Sequence, residues 1–281
     1  MNHNIPQLTL SNGVTLPAIG LGTYKSTHQE AIQNTIAALE CGYRLIDTAM
    51  LYQNETEVGK AIRISGVSRA EIRVTTKLWR TDLGYENVKP AFDRSLQLLG
   101  LEYIDLYLIH WPAHAGISDK WNEINEGTWR AMEEIYESGQ VKAIGVSNFL
   151  THHLEDLLKS CRIKPMINQI EFHPGYTQPE ICQLCRSEQI LLEAWAPLGR
   201  AEILSTPAIQ QIAKKYQKSP AQITLRWAIQ QQVIPIPKAS GRMRLEENIS
   251  IFDFQLTDEE IQDINHLSEM AFSGYHPDRW K

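Results

Sequence analysis

The 281-residue chain has only four cysteines, Cys41, Cys161, Cys182 and Cys185. So few in a chain of this size argue against a disulfide framework. Cys182 and Cys185 form a C-x-x-C, but no second pair accompanies them. Pro179–Ser187 reads as one helix with both thiols on one face, which assigns them to packing rather than to metal or redox chemistry. Surplus positive charge is missing as well. Lys and Arg number 27 against 33 Asp and Glu, a net charge of −6, where a nucleic-acid partner would require clustered cations. No apolar run approaches the roughly 20 residues that cross a bilayer. The opening Met-Asn-His-Asn-Ile-Pro lacks the basic start and apolar run of a signal peptide, so a soluble cytoplasmic protein is expected. No Ser/Gly-rich or Pro-rich linker interrupts the chain, and a single domain over residues 1–281 is expected.

What is present is a core-forming composition, 43% hydrophobic, with a regular alternation of patterns. Leu8–Leu16 reads as a small hairpin turning at Asn12-Gly13. Short apolar runs follow at Ala18–Leu21, Arg44–Asp47, Arg73–Lys77, Ile104–Ile109, Ala143–Val146, Met166–Glu171, Leu191–Ala196 and Val233–Pro237. Between them lie segments of helical period: Gln29–Glu40, Thr56–Ile64, Val88–Leu99, Thr128–Glu137, His152–Lys159, Pro179–Ser187 and Ala221–Gln230. Glu246–Ile249 begins an eighth, and Asp258–Leu267 adds a closing helix behind a Thr257 N-cap. Strands that are apolar on successive residues are parallel strands covered on the outside. Eight such units predict an α/β fold, a (β/α)8 TIM barrel with an N-terminal β-hairpin and an extra C-terminal helix. In such a barrel the chemistry gathers where each strand stops, at its carboxyl end.

The second strand stops at Asp47, with Tyr52 a few residues on. The third stops at Lys77, followed by Trp79, and the fourth at His110, followed by Trp111. Singly, each could be a turn residue, a snorkelling lysine or a rim histidine. Together, a carboxylate, a phenol, an ammonium and an imidazole come from three consecutive strands, all at the catalytic end. The set suits proton donation to a carbonyl oxygen. A free tyrosine titrates near 10, an adjacent ammonium should lower that value, and a neutral His110 could orient the substrate oxygen. Tyr52 is then a general acid in reduction and a base in oxidation.

On these residues the chain resembles the aldo-keto reductase superfamily, from about Leu8 to about Leu267, and within it bacterial diketogluconate and glyoxal (methylglyoxal) reductases. The motifs that carry the resemblance are Gly20-Leu-Gly-Thr-Tyr24, Asp47-Thr-Ala-Met-Leu-Tyr52, Thr76-Lys-Leu-Trp79, Asp105–Pro112, Gly145-Val-Ser-Asn148, Asn168–His173, Ala194-Trp-Ala-Pro-Leu198 and Ile236-Pro-Lys238. The resemblance implies a catalytic tetrad of Asp47, Tyr52, Lys77 and His110. It also implies NADPH/NADP+ bound across the barrel mouth without a Rossmann domain. Ser147, Asn148 and Gln169 match carboxamide-holding positions, Trp195 the nicotinamide platform, and Gly22, Thr23 and Leu198 further cofactor positions. Lys238, Ser240 and Arg244 match surroundings of a 2′-phosphate, and Glu247 and Asn248 adenine contacts. Ala239 and Gly241 depart from that pattern, where relatives carry hydroxyl residues. Tyr24, Trp79, His110 and Trp111 match the substrate pocket. Gly20 and Gly22 lack the third glycine of a dinucleotide fingerprint, Lys25 standing in its place, and are read as permitting a tight turn.

With a moderate Ala113–Gly127 loop and a short tail from Ser268, the resemblance implies a small carbonyl substrate: an aldehyde, dicarbonyl or keto-sugar. No metal, membrane or nucleic-acid partner is expected, and the resemblance implies a monomer. A non-catalytic, redox-sensing cofactor binder would leave the intact tetrad unexplained. A metal-dependent barrel hydrolase would need more His and carboxylate ligands than His110 and Asp47 provide.

Overall fold

The structure, a computed structural model, describes residues 5–279. It opens with the antiparallel hairpin β1 (Gln7–Thr9) and β2 (Thr15–Pro17), turned at Gly13 with φ +87°. Asn12 Nδ2 donates to the carbonyl of Lys142 and Arg73 Nε to that of Thr15, at 2.9 and 3.1 Å. Lys142 and Arg73 begin two barrel strands, so the hairpin covers the barrel's amino end and leaves the other end open.

Eight parallel strands follow: β3 (Leu21–Gly22), β4 (Leu45–Asp47), β5 (Arg73–Leu78), β6 (Ile104–Ile109), β7 (Val141–Ser147), β8 (Ile167–Glu171), β9 (Leu191–Trp195) and β10 (Val233–Pro235). They pair in sequence order. Closure comes from Gly20 and Gly22, whose N–H groups donate to the carbonyls of Pro235 and Pro237 at 3.1 Å each. The prolines have no N–H of their own, so β10 offers β3 only acceptors on that side. Its other side still donates, from Ile236 N to the carbonyl of Ala194 at 3.0 Å.

This seam corrects the reading of the two glycines. Neither has a left-handed backbone. A methyl group at Gly20 would lie 2.8 Å from Leu45 Cγ, and one at Gly22 2.7 Å from the carbonyl oxygen of Ile236. Close approach of backbones, rather than a turn, requires glycine there.

The helices are α1 (His28–Glu40), α2 (Glu55–Ile64), α3 (Tyr85–Leu99), α4 (Trp121–Glu137), α5 (Thr151–Ser160), α6 (Pro179–Ser187), α7 (Pro207–Tyr216), α8 (Pro220–Gln230), α9 (Arg242–Ile249) and α10 (Asp258–Asn265). They cover the outer face of the sheet, which is why β6 is buried at every position. Cys182 and Cys185 lie on the buried face of α6, where burial pushes the thiols up to about 11 and about 12. A helix-packing role fits both. Thr257 caps α10, its hydroxyl accepting from Glu260 N at 3.2 Å.

Helix α7 was not expected. Its signals are local and legible: Thr206 before Pro207 at the first helical position, buried Ile209, Ile212 and Ala213, and Lys214-Lys215 in the last turn. One helix per strand leaves no place for it. It extends the connection after β9, behind a tight segment, Gly199–Ser205, in which Arg200 and Ala201 adopt positive φ.

Candidate active site

Asp47 is the last residue of β4 and is 2% exposed. After it the chain makes one tight 3-10 turn, Met50–Tyr52, which Gln53 ends with φ +54°. Thr48 Oγ1 donates to Asn54 Oδ1 at 2.7 Å, and Asn54 Nδ2 to the carbonyl of Thr23 at 3.0 Å. These bonds tie the turn to β3 and hold Tyr52 over the mouth.

Lys77, on β5, is fully buried. Its ammonium donates to Asp47 Oδ1 and Oδ2 at 2.6 and 2.7 Å and to the carbonyl of Thr48 at 3.0 Å. All three hydrogens therefore have acceptors, as a buried ammonium requires. Burial pushes the Asp47 carboxyl up, and Lys77 works in the opposite sense.

His110 follows β6 and is 6% exposed. Its ring stands edge-on to Tyr52 at 5.6 Å and to Trp79 at 5.2 Å between centroids. Burial, and then Lys77, hold it well below the usual imidazole range, so it is neutral at pH 7. Its Nδ1 has no hydrogen-bond partner among the described residues.

For Tyr52 the direction is opposite to the one expected. Burial, followed by the charge of Asp47, pushes the phenol well above its ordinary value. Lys77 does not offset this, because of its ion pair. Lys77 spends its hydrogens on Asp47 and Thr48, lies 5.2 Å from the Tyr52 ring centre, and has its charge offset by the carboxylate it holds.

A cavity of ≈ 750 Å³ opens at this end. Asp47, Tyr52 and His110 line one part of it, with Tyr24 and Trp111. It then passes Asn148, Gln169, Trp195 and Leu198 and reaches Gly22, Lys238, Arg244, Glu247 and Asn248. Its size is that of a cofactor or ligand site. Asn148 has φ +62°, and its Nδ2 donates to the carbonyl of His110 at 2.9 Å. The Trp195 indole in turn donates to Asn148 Oδ1 at 2.8 Å.

Several expected site residues face elsewhere. Thr23 Oγ1 donates to the carbonyl of Asp47 at 2.9 Å, and Ser147 Oγ to that of Gln169 at 2.8 Å. Ser240 Oγ accepts from Lys238 Nζ at 2.5 Å. Trp79 packs on the side of His110 rather than in the lining. In these positions the side chains support residues that do line the cavity. Arg244, Glu247 and Asn248 sit on α9, which begins at Arg242, earlier than expected, after Gly241 with φ +87°.

Other wall residues went unread in the sequence. Leu204, Arg200 and Ala201 come from the segment before α7, and Tyr275 from the tail. Tyr275 meets Trp111 edge-on at 6.5 Å and lies under the Arg200 guanidinium at 5.3 Å. Neither segment has a periodic signal. Glu193 was missed too, although a charge inside the apolar run Leu191–Ala196 marks it.

Comparison with known proteins adds an independent finding. The aldo/keto reductase family profile matches residues 18–269. The 9,11-endoperoxide prostaglandin H2 reductase of Trypanosoma cruzi is 47% identical over 284 residues, covering 100% of this chain and 98% of the relative. The glyoxal reductase of Bacillus subtilis is 47% identical over 270 residues, covering 96% and 95%. Among solved structures, a Bombyx mori aldo-keto reductase in complex with NADP superposes with a TM-score of 0.90 at 36% identity, covering 98% of this chain and 97% of the other.

Proposed function

The chain belongs to the aldo/keto reductase family and is an NADPH/NADP+-dependent oxidoreductase of the carbonyl and CH–OH couple, and we propose that it reduces small aldehydes, dicarbonyls or keto-sugars with Tyr52 as proton donor. The observation that carries the assignment is the meeting of Tyr52, His110 and the Asp47–Lys77 pair at one end of the cavity. When bound, the cofactor supplies a hydride.

The residues of the cavity fit that cofactor. The amides of Asn148 and Gln169 can hold a carboxamide, and Trp195 offers an aromatic face to a flat ring. Lys238 and Arg244 can take a 2′-phosphate, Arg with a forked contact. Leu198 and Gly22 leave room along the way, and Glu247 and Asn248 stand where an adenine would end. Ser147, Thr23 and Ser240 act through Gln169, Asp47 and Lys238.

His110 is neutral and lines the cavity, and with Nδ1 buried, Nε2 is the nitrogen left to meet the substrate's carbonyl oxygen and set it beside the phenol. Tyr52 stays protonated throughout the neutral range, since burial and Asp47 hold its value up, and so has a proton to give. Asp47 is a positioning residue that holds Lys77 in place through both carboxylate oxygens. Tyr24 and Trp111, with Tyr275, leave an aromatic-walled space suited to a small substrate; Trp79 shapes it by bracing His110. The enzyme works as a cytoplasmic monomer, for which light scattering should give about 32.1 kDa.

The test is NADPH oxidation against a panel of glyoxals, aldehydes and keto-sugars, with Tyr52→Phe as control. Loss of a positioned general acid should lower kcat roughly 10²–10⁴-fold while NADPH still binds. Full turnover by a Tyr52→Phe protein that binds NADPH would remove Tyr52 as the acid.

A further inference from the structure

Glu193 is a buried ionisable side chain close to the tetrad that the mechanism above does not use. It lies mid-strand on β9, with no exposed surface, and is paired in register with Gln169 on β8. The two side chains meet inside the barrel. Gln169 Nε2 donates to Glu193 Oε2 at 2.5 Å and to Asp47 Oδ2 at 2.9 Å. An amide nitrogen has two hydrogens, and here each has a carboxyl oxygen to receive it. Turned the other way, the amide would set its own oxygen 2.9 Å from the Asp47 carboxylate, with no hydrogen between them. The Asp47 carboxylate, which can only accept, therefore dictates the orientation, and Glu193 Oε2 receives the amide's second hydrogen and holds it there.

We infer that Glu193 is a positioning residue that, with Asp47, locks the Gln169 amide with its nitrogen inward, so that its carbonyl is the end offered to the cavity. On the reading of the cavity given above, that carbonyl accepts from the –NH2 of the cofactor's carboxamide. A lock of this kind selects how the carboxamide, and with it the ring, is seated. It also joins the cofactor seat to the catalytic ion pair through a single side chain, along the series Glu193, Gln169, Asp47, Lys77.

The charge balance of the cluster supports the assignment. The groups facing Glu193 are Gln169 from β8, Asp47 from β4, Lys77 from β5 and the Tyr52 phenol from the turn after β4; its neighbour on β10, Ile234, is apolar. One ammonium thus serves two buried carboxyl groups, and like charges so close do not both ionise readily. Lys77 contacts Asp47 directly, which leaves Glu193 as the proton holder. Burial, and then Asp47, push it up to about 8. Its Oε1 has no partner among the described residues, so the Gln169 bond is the contact that orients it.

The test uses the full-length protein labelled with 15N, with and without NADP+. The Gln169 side-chain amide is assigned by its loss in Gln169→Leu. In the cofactor-free protein this amide signal should shift with a midpoint near pH 8, and the shift should vanish in Glu193→Gln. An amide signal that ignores pH between 6 and 9.5 in the unsubstituted protein would overturn the lock. NADP+ affinity is then read by tryptophan fluorescence. Glu193→Leu should weaken it about tenfold, whereas Glu193→Gln, which keeps an acceptor for Gln169, should restore most of it at pH 7. A folded Glu193→Leu protein with unchanged affinity would overturn the positioning role. Failure of the carbonyl panel would count against the proposed reaction alone, since neither readout involves turnover.

Discussion

At the scale of single residues, the site is a problem of charge in a small space. Asp47, Lys77 and Glu193 have almost no exposed surface, so each charge must find its partner inside the protein. Lys77 does so completely, and for that reason it cannot also act as a hydrogen-bond donor to the phenol. Reading Lys77 as a direct depressor of the Tyr52 value requires only that the two be near. The structure shows they are near, and that Asp47 has taken the ammonium's hydrogens. At the far end of the cavity Lys238 and Arg244 are exposed, and their worth depends on the phosphate they would meet. Replacing either by Ala should raise the Kd for NADPH roughly 10–100-fold, the loss of one or two charge-assisted hydrogen bonds, and leave that for NADH nearly unchanged. Fluorescence titration with both cofactors decides it. An equal loss for the two would mean that these cations do not read the 2′-phosphate.

At the scale of elements, close approach of backbones sets several identities that hydrophobic pattern does not reveal. Gly59 is the clearest case. It lies in the middle of α2, where Ala would favour the helix by about 1 kcal/mol. A methyl group there would stand 1.9 Å from the carbonyl oxygen of Leu99 at the end of α3. The clash outweighs the propensity, because the two helices must move apart to admit the atom. Gly59→Ala is expected to cost about 1–3 kcal/mol and to lower Tm by on the order of 5 °C. Thermal denaturation measures this directly, and an unchanged Tm would show that α2 and α3 can separate freely. The seam between β3 and β10 follows the same logic, with Gly20 and Gly22 on one side and prolines on the other.

Across the whole molecule, the buried site makes stability depend on pH in two opposite senses. His110 is held neutral by burial and Lys77, below the ordinary 6.5. Below pH 6.5 the unfolded chain takes up a proton that the folded chain refuses, so this contribution is lost as the pH falls. Glu193 behaves conversely. Its folded value of about 8 lies above the ordinary 4.5, so its contribution is complete below pH 4.5 and is lost as the pH rises to 8. Relative to Glu193→Gln, the unsubstituted protein should therefore lose stability between pH 5 and pH 8 and run parallel above that. The expected change is a few kcal/mol. Tm measured for both proteins across this range supplies the check, and parallel curves from pH 5 onwards would contradict the assigned proton.

The amino-acid sequence by itself determined the barrel and most of its mouth. Apolar runs such as Ile104–Ile109 and the helical segments between them record burial on two faces and on one face respectively, and burial is a local, additive property of side chains. Asp47, Lys77 and His110 were legible because each stands where such a run stops. Residues whose role depends on what faces them were not legible. Ser147 and Thr23 look like ligand contacts in the sequence, and the structure turns their hydroxyls to backbone carbonyls. Glu193 looks like an interruption of a strand, and only the closed barrel brings it to Gln169 and, across the interior, to Asp47. Tyr275 reaches the cavity from the tail, more than 160 residues after the His110 end of β6. Hydrogen bonds and ionisation depend on distance in space and on shared exclusion of water, so the direction of the Tyr52 shift and the lock on Gln169 were decided by the tertiary structure alone.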